Sequence, residues 1–336
     1  MAGQRGLQSL NYNRYVTGEE FTMRWEDFRQ SENVDDLRGD DSGGGGFRLP
    51  GGLGGGMGGG SLGGGGGASR GGLGIGTIII LGLVGWALGI NSRVLIGGAE
   101  VLTGGRSGSG YSQPAPQSRR AGPATDQMGK FISAVVAMNE DVWKEVLPAQ
   151  KGIQYKPPRL VIFSRVTRSG CGVAQSQMGP FYCPADQKVY LDTSFFNQMK
   201  QRLGGGGDFA YAYVIAHEVG HHIENQLGIL SQVNTAKQRM SRAEGNGLSV
   251  RVELMADCLA GVWAHHANKK WNVLEEGDVE KAIRTAQAIG DDALQKAAQG
   301  YAVPDSFTHG SSAQREAWLK RGLQTGDMNS CNTFAR

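Results

Sequence analysis

One short stretch constrains this chain more than any other, a His-Glu-x-x-His motif at residues 217–221. Four residues without charge precede it, Tyr213-Val214-Ile215-Ala216, so the motif is predicted to lie on a largely buried helix. On a helix, His217 and His221 are one turn apart on the same face. Two imidazoles at that spacing can bind one Zn²⁺ ion. Glu218 lies at the flank of this face, where a carboxylate can take a proton from a water molecule.

A second apolar stretch, residues 250–263, is predicted to be another helix. Glu253 and Asp257 are four residues apart on it and therefore share a face. Glu253 can complete a set of two histidines and one carboxylate that leaves a fourth position open for water. Asp257 can accept the free N–H of a ligand histidine and fix its tautomer. The alternative is a carboxylate pair facing solvent, but like charges at this spacing repel and the neighbouring residues are apolar.

The sequence also excludes one class of zinc site. A His-Glu-x-x-His-x-x-Gly-x-x-His motif would place Gly at position 224 and His at position 227. Those positions hold Glu224 and Leu227. The third ligand is therefore expected downstream, and Glu253 is the candidate.

These residues resemble a known pattern. The stretches 217–221 and 253–257 are similar to those of gluzincin metallopeptidases, and the chain more closely resembles the bacterial family of putative neutral zinc metallopeptidases. Further matching stretches are Ser169-Gly170-Cys171-Gly172, residues 179–184, Val189-Tyr190-Leu191-Asp192, Ile289-Gly290-Asp291-Asp292 and residues 307–312. The resemblance runs from about Met23 to the C-terminus and is specific after Gln127. It implies a zinc-dependent peptidase that acts on a peptide or protein substrate and is attached to a membrane. Cleavage within a chain is expected in preference to trimming of its ends.

Candidates for stabilising the negative oxygen that develops during hydrolysis are His309, Tyr211 and Tyr213. His309 precedes a helix predicted from a capping box at Ser311 and Gln314, and it can donate a hydrogen bond to an oxyanion. A structural histidine in a turn is the alternative interpretation. The remaining histidines, His222, His265 and His266, are predicted not to be metal ligands.

The first third of the chain has a different composition. Many of the 55 glycines lie between residues 43 and 76, so residues 1–72 are predicted to be a disordered polar and glycine-rich arm. Leu73–Ile90 carries no charge and is long enough to span a bilayer, so residues 73–92 are predicted to be a transmembrane helix. A flexible linker over residues 93–124 and a zinc metallopeptidase domain over residues 125–336 complete the predicted organisation. The net charge of +3 and the scattered basic residues give no sign of nucleic-acid binding.

Four cysteines follow the apolar segment. Cys171 and Cys183 flank a short Gly- and Pro-containing segment and are the favoured pair, which leaves Cys258 with Cys331. Four reduced thiols are the alternative, although no Cys-x-x-Cys motif supports a zinc knuckle. Disulfides form in oxidising compartments, so the domain is predicted to lie outside the cytoplasm, as in a single-pass protein of the cell membrane with its N-terminus inside.

The expected fold is α+β, a helix-rich zincin-like domain with a small sheet. Residues 189–192 are the candidate edge strand for binding a peptide backbone, and residues 231–246 are predicted to be a lid or an insertion. Asp208 is predicted to cap the helix of the motif. A membrane-tethered scaffold that keeps a structural zinc without catalysis is the alternative function. The sequence does not indicate an oligomeric state.

Overall fold

The computed structural model describes residues 23–38, 124–202 and 206–335. Its α-helices are α1 (Gln127–Lys151), α2 (Ser194–Arg202), α3 (Asp208–Gln226), α4 (Ile229–Lys237), α5 (Arg242–Trp271), α6 (Asp278–Ala288), α7 (Asp291–Gln299) and α8 (Ser312–Thr325). Its strands are β1 (Val34–Asp36), β2 (Arg159–Phe163), β3 (Val166–Ser169), β4 (Gly172–Gln175), β5 (Phe181–Cys183) and β6 (Lys188–Asp192). This confirms the prediction of a helix-rich α+β protein with small sheets.

Four strands form the main sheet in the order β1-β2-β6-β5, and β3 pairs with β4 in a separate hairpin. The first three strands are parallel, whereas β5 is antiparallel to β6. The prediction that residues 189–192 form an edge strand is wrong, because β6 is paired with β2 on one side and β5 on the other. Of the strands that the structure describes, β5 is the edge strand that contacts α3.

The two long helices that carry the motif residues begin and end at different signals. A capping box formed by Ser241 and Glu244 starts α5, and Asn272 ends it in the left-handed conformation. The N-cap residue of helix α3 is Gly207. The prediction that Asp208 caps this helix is therefore wrong. The Asp208 carboxylate instead accepts a hydrogen bond from the indole Nε1–H of Trp25, at 3.1 Å.

Glycines set the distances between the helices that build the site. A Cβ at Gly220 in α3 would lie 3.0 Å from the carbonyl oxygen of Ala256 in α5. At the crossing of α5 with α8, a Cβ at Gly322 would lie 1.9 Å from the carbonyl oxygen of Cys258. Side chains at these positions would hold the helices apart, so the missing Cβ atoms permit the close packing of α3, α5 and α8.

Residues 23–38 lie within the stretch that was predicted to be a disordered arm, and for these residues the prediction is wrong. Met23 is fully buried and Trp25 is 5% exposed. Strand β1 adds to the sheet beside β2, in parallel register from Val34 opposite Leu160 to Asp36 opposite Ile162. The segment folds because it contributes apolar side chains to a core formed by residues much later in the chain.

Several predicted segments lie outside the described residues, namely the glycine-rich tract, the apolar segment Leu73–Ile90 and the linker up to residue 123. Among the residues that are described, no helix combines the length and apolar character needed to cross a membrane. Residues 231–246, the predicted lid, form most of α4, a turn and the start of α5. Disulfides join Cys171 to Cys183 and Cys258 to Cys331, and the second holds the C-terminal tail against α5.

Candidate metal centre

The structure brings His217, His221 and Glu253 together, although the two helices that carry them are separated in sequence. One ligand atom from each lies within 4.8 Å of the other two. The His217 Nε2 atom is 3.2 Å from Glu253 Oε2, and the His221 Nε2 atom is 3.6 Å from Glu253 Oε1. All three side chains are buried. Helix α3 supplies both imidazoles from one face, and α5 supplies the carboxylate opposite them.

The other nitrogen of each imidazole is bonded to a carboxylate. His217 Nδ1 is 2.9 Å from Asp257 Oδ1, and His221 Nδ1 is 2.8 Å from Glu224 Oε2. Each Nδ1–H can therefore donate to its carboxylate, which leaves the lone pair of Nε2 directed at the common point. Carboxylate partners of this kind orient histidine ligands and make them more basic. Two imidazole nitrogens and one carboxylate fit Zn²⁺ in a site with an open position.

Asp257 is the centre of a buried network. Its Oδ2 accepts a hydrogen bond from Arg315 Nε and its Oδ1 accepts one from Arg315 Nη2, each at 2.9 Å. The Tyr213 hydroxyl donates to Oδ1 at 2.6 Å. Burial alone would raise the pKa of the Asp257 carboxyl, but Arg315 and His217 outweigh this and lower it to about 2. The carboxylate that orients His217 is therefore held ionised.

Glu224 lies three residues after His221 on α3 and is fully buried. Burial raises the pKa of its carboxyl to about 7, against the opposing influence of His221. Its hydrogen bond to His221 gives this histidine a partner of the same type that Asp257 provides for His217.

Glu218 is on the same helix, is 7% exposed, and is flanked by the two histidines. The backbone of Tyr182 in β5 lies beside its carboxylate and favours the ionised form. Burial is the largest influence and raises the pKa of the Glu218 carboxyl, while His217 and His221 act in the opposite direction. A carboxylate with a raised pKa is better suited to hold a proton during a reaction than one with the ordinary value.

His309 lies at the turn before α8 and is buried. Its Nδ1 is 3.1 Å from Asp291 Oδ1, while Asp291 Oδ2 accepts the backbone N–H groups of Thr308, His309 and Gly310. Its Nε2 is buried without a hydrogen-bond partner among the described residues. Burial has the largest effect on the pKa of the Glu253 carboxyl and raises it. His221, and after it His309, lower this pKa. The ring is thus held by Asp291, and it acts electrostatically on the carboxylate of the cluster.

The other candidate residues have structural partners. His222 Nε2 is bonded to the Lys156 carbonyl at 2.6 Å and its Nδ1 to the Tyr182 hydroxyl at 3.0 Å, and burial lowers its pKa to about 4. His265 and His266 contact the carbonyls of Leu323 and Gly326 at the end of α8. None of these three belongs to the cluster found among the described residues. Tyr213 is occupied by Asp257, and Tyr211 stacks on Phe196.

Three residues of the site were not predicted from the sequence, namely Glu224, Asp291 and Arg315. Glu224 follows His221 by three residues, a helical spacing that places the two side chains together. Arg315 shares a helical face with Leu319 and Gly322, both buried, and this was the available signal that its guanidinium is buried. Asp291 is 18 residues from His309. No local spacing indicates that contact.

The comparisons with known proteins agree with this centre. The sequence profile of the family described as "Putative neutral zinc metallopeptidase" matches residues 23–334, so the chain belongs to this family of zinc peptidases. It is 46% identical over 318 residues to the "Uncharacterized protein YpfJ" of Escherichia coli strain K12, which covers 94% of this chain and 99% of the relative. It is also 44% identical over 204 residues to the "Uncharacterized protein Rv2575" of Mycobacterium tuberculosis strain H37Rv, covering 58% of this chain and 66% of the relative.

No solved structure matches the chain significantly. The family identifies the cofactor as zinc, and the cluster of His217, His221 and Glu253 could hold it.

Proposed function

We propose that this protein is a membrane-attached zinc endopeptidase of zincin-like fold, with His217, His221 and Glu253 as the metal ligands. One observation carries the proposal: two imidazole nitrogens and a carboxylate from separate helices converge within 4.8 Å, and both imidazoles are oriented by carboxylates on their far side. A structural zinc site is closed by four protein ligands, whereas the cluster among the described residues offers three. That difference favours catalysis over the scaffold alternative.

Zinc in such a site acts as a Lewis acid and makes a neighbouring water molecule acidic. The chain itself supplies the proton acceptor. Glu218 is buried beside both histidines, so it can take a proton from the attacking water and deliver it to the amine that leaves.

His309 is the proposed stabiliser of the oxyanion. When both ring nitrogens carry protons, Nδ1–H donates to Asp291 and Nε2–H is left to donate to a negative oxygen near Glu253. Asp291 also accepts three backbone N–H groups, and this holds the turn that carries the histidine. Tyr213 is not proposed for this role because its hydroxyl donates to Asp257.

Strand β5 is the proposed site for the peptide backbone. The Tyr182 backbone lies close enough to Glu218 to lower the pKa of its carboxyl, and the Tyr182 hydroxyl is bonded to His222 and Asn225 of α3. The strand is therefore fixed to the helix that carries the base. An extended peptide added to this strand edge would pass Glu218, which suits cleavage within a chain.

The two disulfides support a location outside the cytoplasm, in an oxidising compartment. Attachment to the membrane is proposed from the uncharged segment Leu73–Ile90.

The test is the Glu218→Gln variant of the full-length protein. We expect it to keep zinc at the wild-type level and to lose cleavage of a peptide blocked at both ends by at least 100-fold. Glu276 is exposed and belongs to no part of the site, so Glu276→Gln is the matched control and should retain both properties. Full cleavage by Glu218→Gln would refute the role of this residue. Wild-type cleavage of unblocked peptides only would refute endopeptidase action.

A further inference from the structure

The residues on either side of the uncharged segment Leu73–Ile90 belong to one folded unit. On the N-terminal side, Trp25 packs edge-to-face against Phe131 of α1, with ring centroids 5.5 Å apart. Its indole Nε1–H donates to Asp208 at the start of α3. Met23 and Trp25 are both buried in the core that α1 and α3 share. These contacts join residues before the segment to residues long after it.

Polar contacts join the same two parts. Glu140 of α1 is 3% exposed, and its carboxylate accepts hydrogen bonds from Ser31 Oγ at 2.6 Å and Asn33 Nδ2 at 2.7 Å. Arg29 Nη2 donates to the other carboxylate oxygen at 2.8 Å. All three donors belong to residues 23–38. Without them a buried carboxylate would lose the partners that the structure gives it, which is strongly unfavourable.

Backbone pairing also joins residues 23–38 to the later part of the chain. Strand β1 forms a parallel ladder with β2, and Arg159 of β2 forms an ion pair with Asp35 of β1. Neighbouring strands in a sheet lie about 4.8 Å apart, whereas the apolar core of a bilayer is about 30 Å thick. The two strands cannot pair across a membrane.

A single crossing by residues 73–90 would place residues 23–38 and residues 124–335 on opposite faces of the bilayer. The fold requires them on the same face. We propose that residues 23–38 and 124–335 lie together on one side of the membrane. Leu73–Ile90 is the one stretch of 18 uncharged, mainly apolar residues between positions 39 and 123. Two helical crossings would require about 40 such residues, so the sequence offers no second segment for a return crossing.

The two parts of the fold are therefore not divided between two compartments. The disulfides identify that side as the oxidising one, which places residues 23–38 outside the cytoplasm together with the metal centre. This replaces the single-pass arrangement with an internal N-terminus that the sequence predicted. The inference concerns the position of the chain and does not depend on peptidase activity.

Thiol labelling in cells tests the arrangement directly. The native cysteines form two disulfides and none of them is free, so one added thiol is the only reactive site. The Gln30→Cys variant reports the side of the membrane on which residues 23–38 lie, and the Glu276→Cys variant reports it for the later part of the chain. Both side chains are exposed, so an added thiol can react. Each full-length variant is treated in spheroplasts with a maleimide that cannot cross the membrane, before and after lysis. A cytoplasmic thiol protein is the control for intact membranes.

We expect both variants to be labelled to the same extent before lysis as after it. Labelling of Glu276→Cys before lysis and of Gln30→Cys only after lysis would overturn the proposal. If both are labelled only after lysis, the shared side is supported and its extracytoplasmic placement is overturned. Neither outcome affects the proposed hydrolytic chemistry, so failure here is distinguishable from failure of the peptidase function.

A second measurement tests the packing itself. Trp25→Ala in the full-length protein should lower the midpoint of thermal unfolding of the disulfide-bonded domain by on the order of 10 °C, because a buried indole is lost. Gln30→Ala removes an exposed side chain from the same segment and should leave the midpoint unchanged. Equal midpoints for the two variants would show that residues 23–38 do not pack on the domain, and the proposal would be overturned.

Discussion

The close crossing of α5 and α8 gives a prediction whose size follows from the structure. An alanine Cβ at Gly322 would lie 1.9 Å from the Cys258 carbonyl oxygen and 2.8 Å from the Val262 nitrogen. Favourable contacts between non-bonded heavy atoms lie near 3.5 Å, so the helices would have to separate by roughly 1.5 Å. Overpacking of this kind costs about 1–3 kcal/mol or more. The higher helix propensity of alanine offsets at most about 1 kcal/mol of this cost.

Gly247 is the matched control, since it lies in α5, is exposed, and a Cβ there would meet nothing within 4 Å. Gly247→Ala should therefore stabilise the protein by about 0.5–1 kcal/mol, whereas Gly322→Ala should destabilise it by about 2 kcal/mol. Urea unfolding of the two full-length variants measures both free energies. Gly322→Ala should also weaken zinc binding, because Arg315 on α8 would move away from Asp257 on α5. The reasoning is refuted if Gly322→Ala unfolds at the same urea concentration as Gly247→Ala, or at a higher one.

Three further predictions concern single contacts. Arg315→Met should lower the free energy of unfolding by about 3–5 kcal/mol in urea because it removes the guanidinium that pairs with the buried Asp257 carboxylate, and a loss below 1 kcal/mol would contradict this. Cys331→Ser opens a loop of 73 residues and should cost about 4 kcal/mol by calorimetry, while an unchanged midpoint would contradict the bond to Cys258. The hydrogen bond from Arg159 lowers the pKa of Asp35 below its ordinary value of 3.8, so its stabilisation is complete above pH 3.8 and is lost as the pH falls through the lowered pKa. Asp35→Asn should thus unfold up to about 1 kcal/mol more easily than wild type at pH 7, with a difference that shrinks in acid, and a constant difference would exclude the pair as its cause.

The sequence predicted most of the metal centre because the relevant contacts are local. Two histidines four residues apart on a helix must share a face, and so must the two acidic residues of α5. The two buried carboxylates of α5 repel each other, so they require a positive partner such as a metal ion. Glu253 followed as the third ligand because the sequence excludes a histidine at position 227 and places this carboxylate on a second apolar helix, and the resemblance to a zinc peptidase family agreed with that choice.

The contacts that were missed all depend on tertiary structure. Asp291 reaches His309 across two elements, and Arg315 reaches Asp257 from a helix 58 residues later in the chain. The edge strand was misassigned because adjacent strands in the sequence gave no indication that β6 is central in the sheet. Sequence order does not determine strand order in a sheet with parallel crossovers.

The wrong prediction of disorder for residues 23–38 has a different cause. Residues 23–38 contain few apolar side chains and precede a glycine-rich tract, so their composition resembles that of the disordered arm. Their order comes from partners that are supplied by the distant domain, chiefly the apolar surface around Phe131 and the carboxylate of Glu140. A local composition argument cannot detect such partners.

The most direct test of the central claim is an anomalous difference map of crystals of the full-length protein, recorded at the zinc absorption edge. The account predicts one zinc ion bound by His217 Nε2, His221 Nε2 and the Glu253 carboxylate, with at least one coordination position held by water. An ion enclosed by four protein atoms, or zinc found at another place while this cluster stays empty, would contradict it.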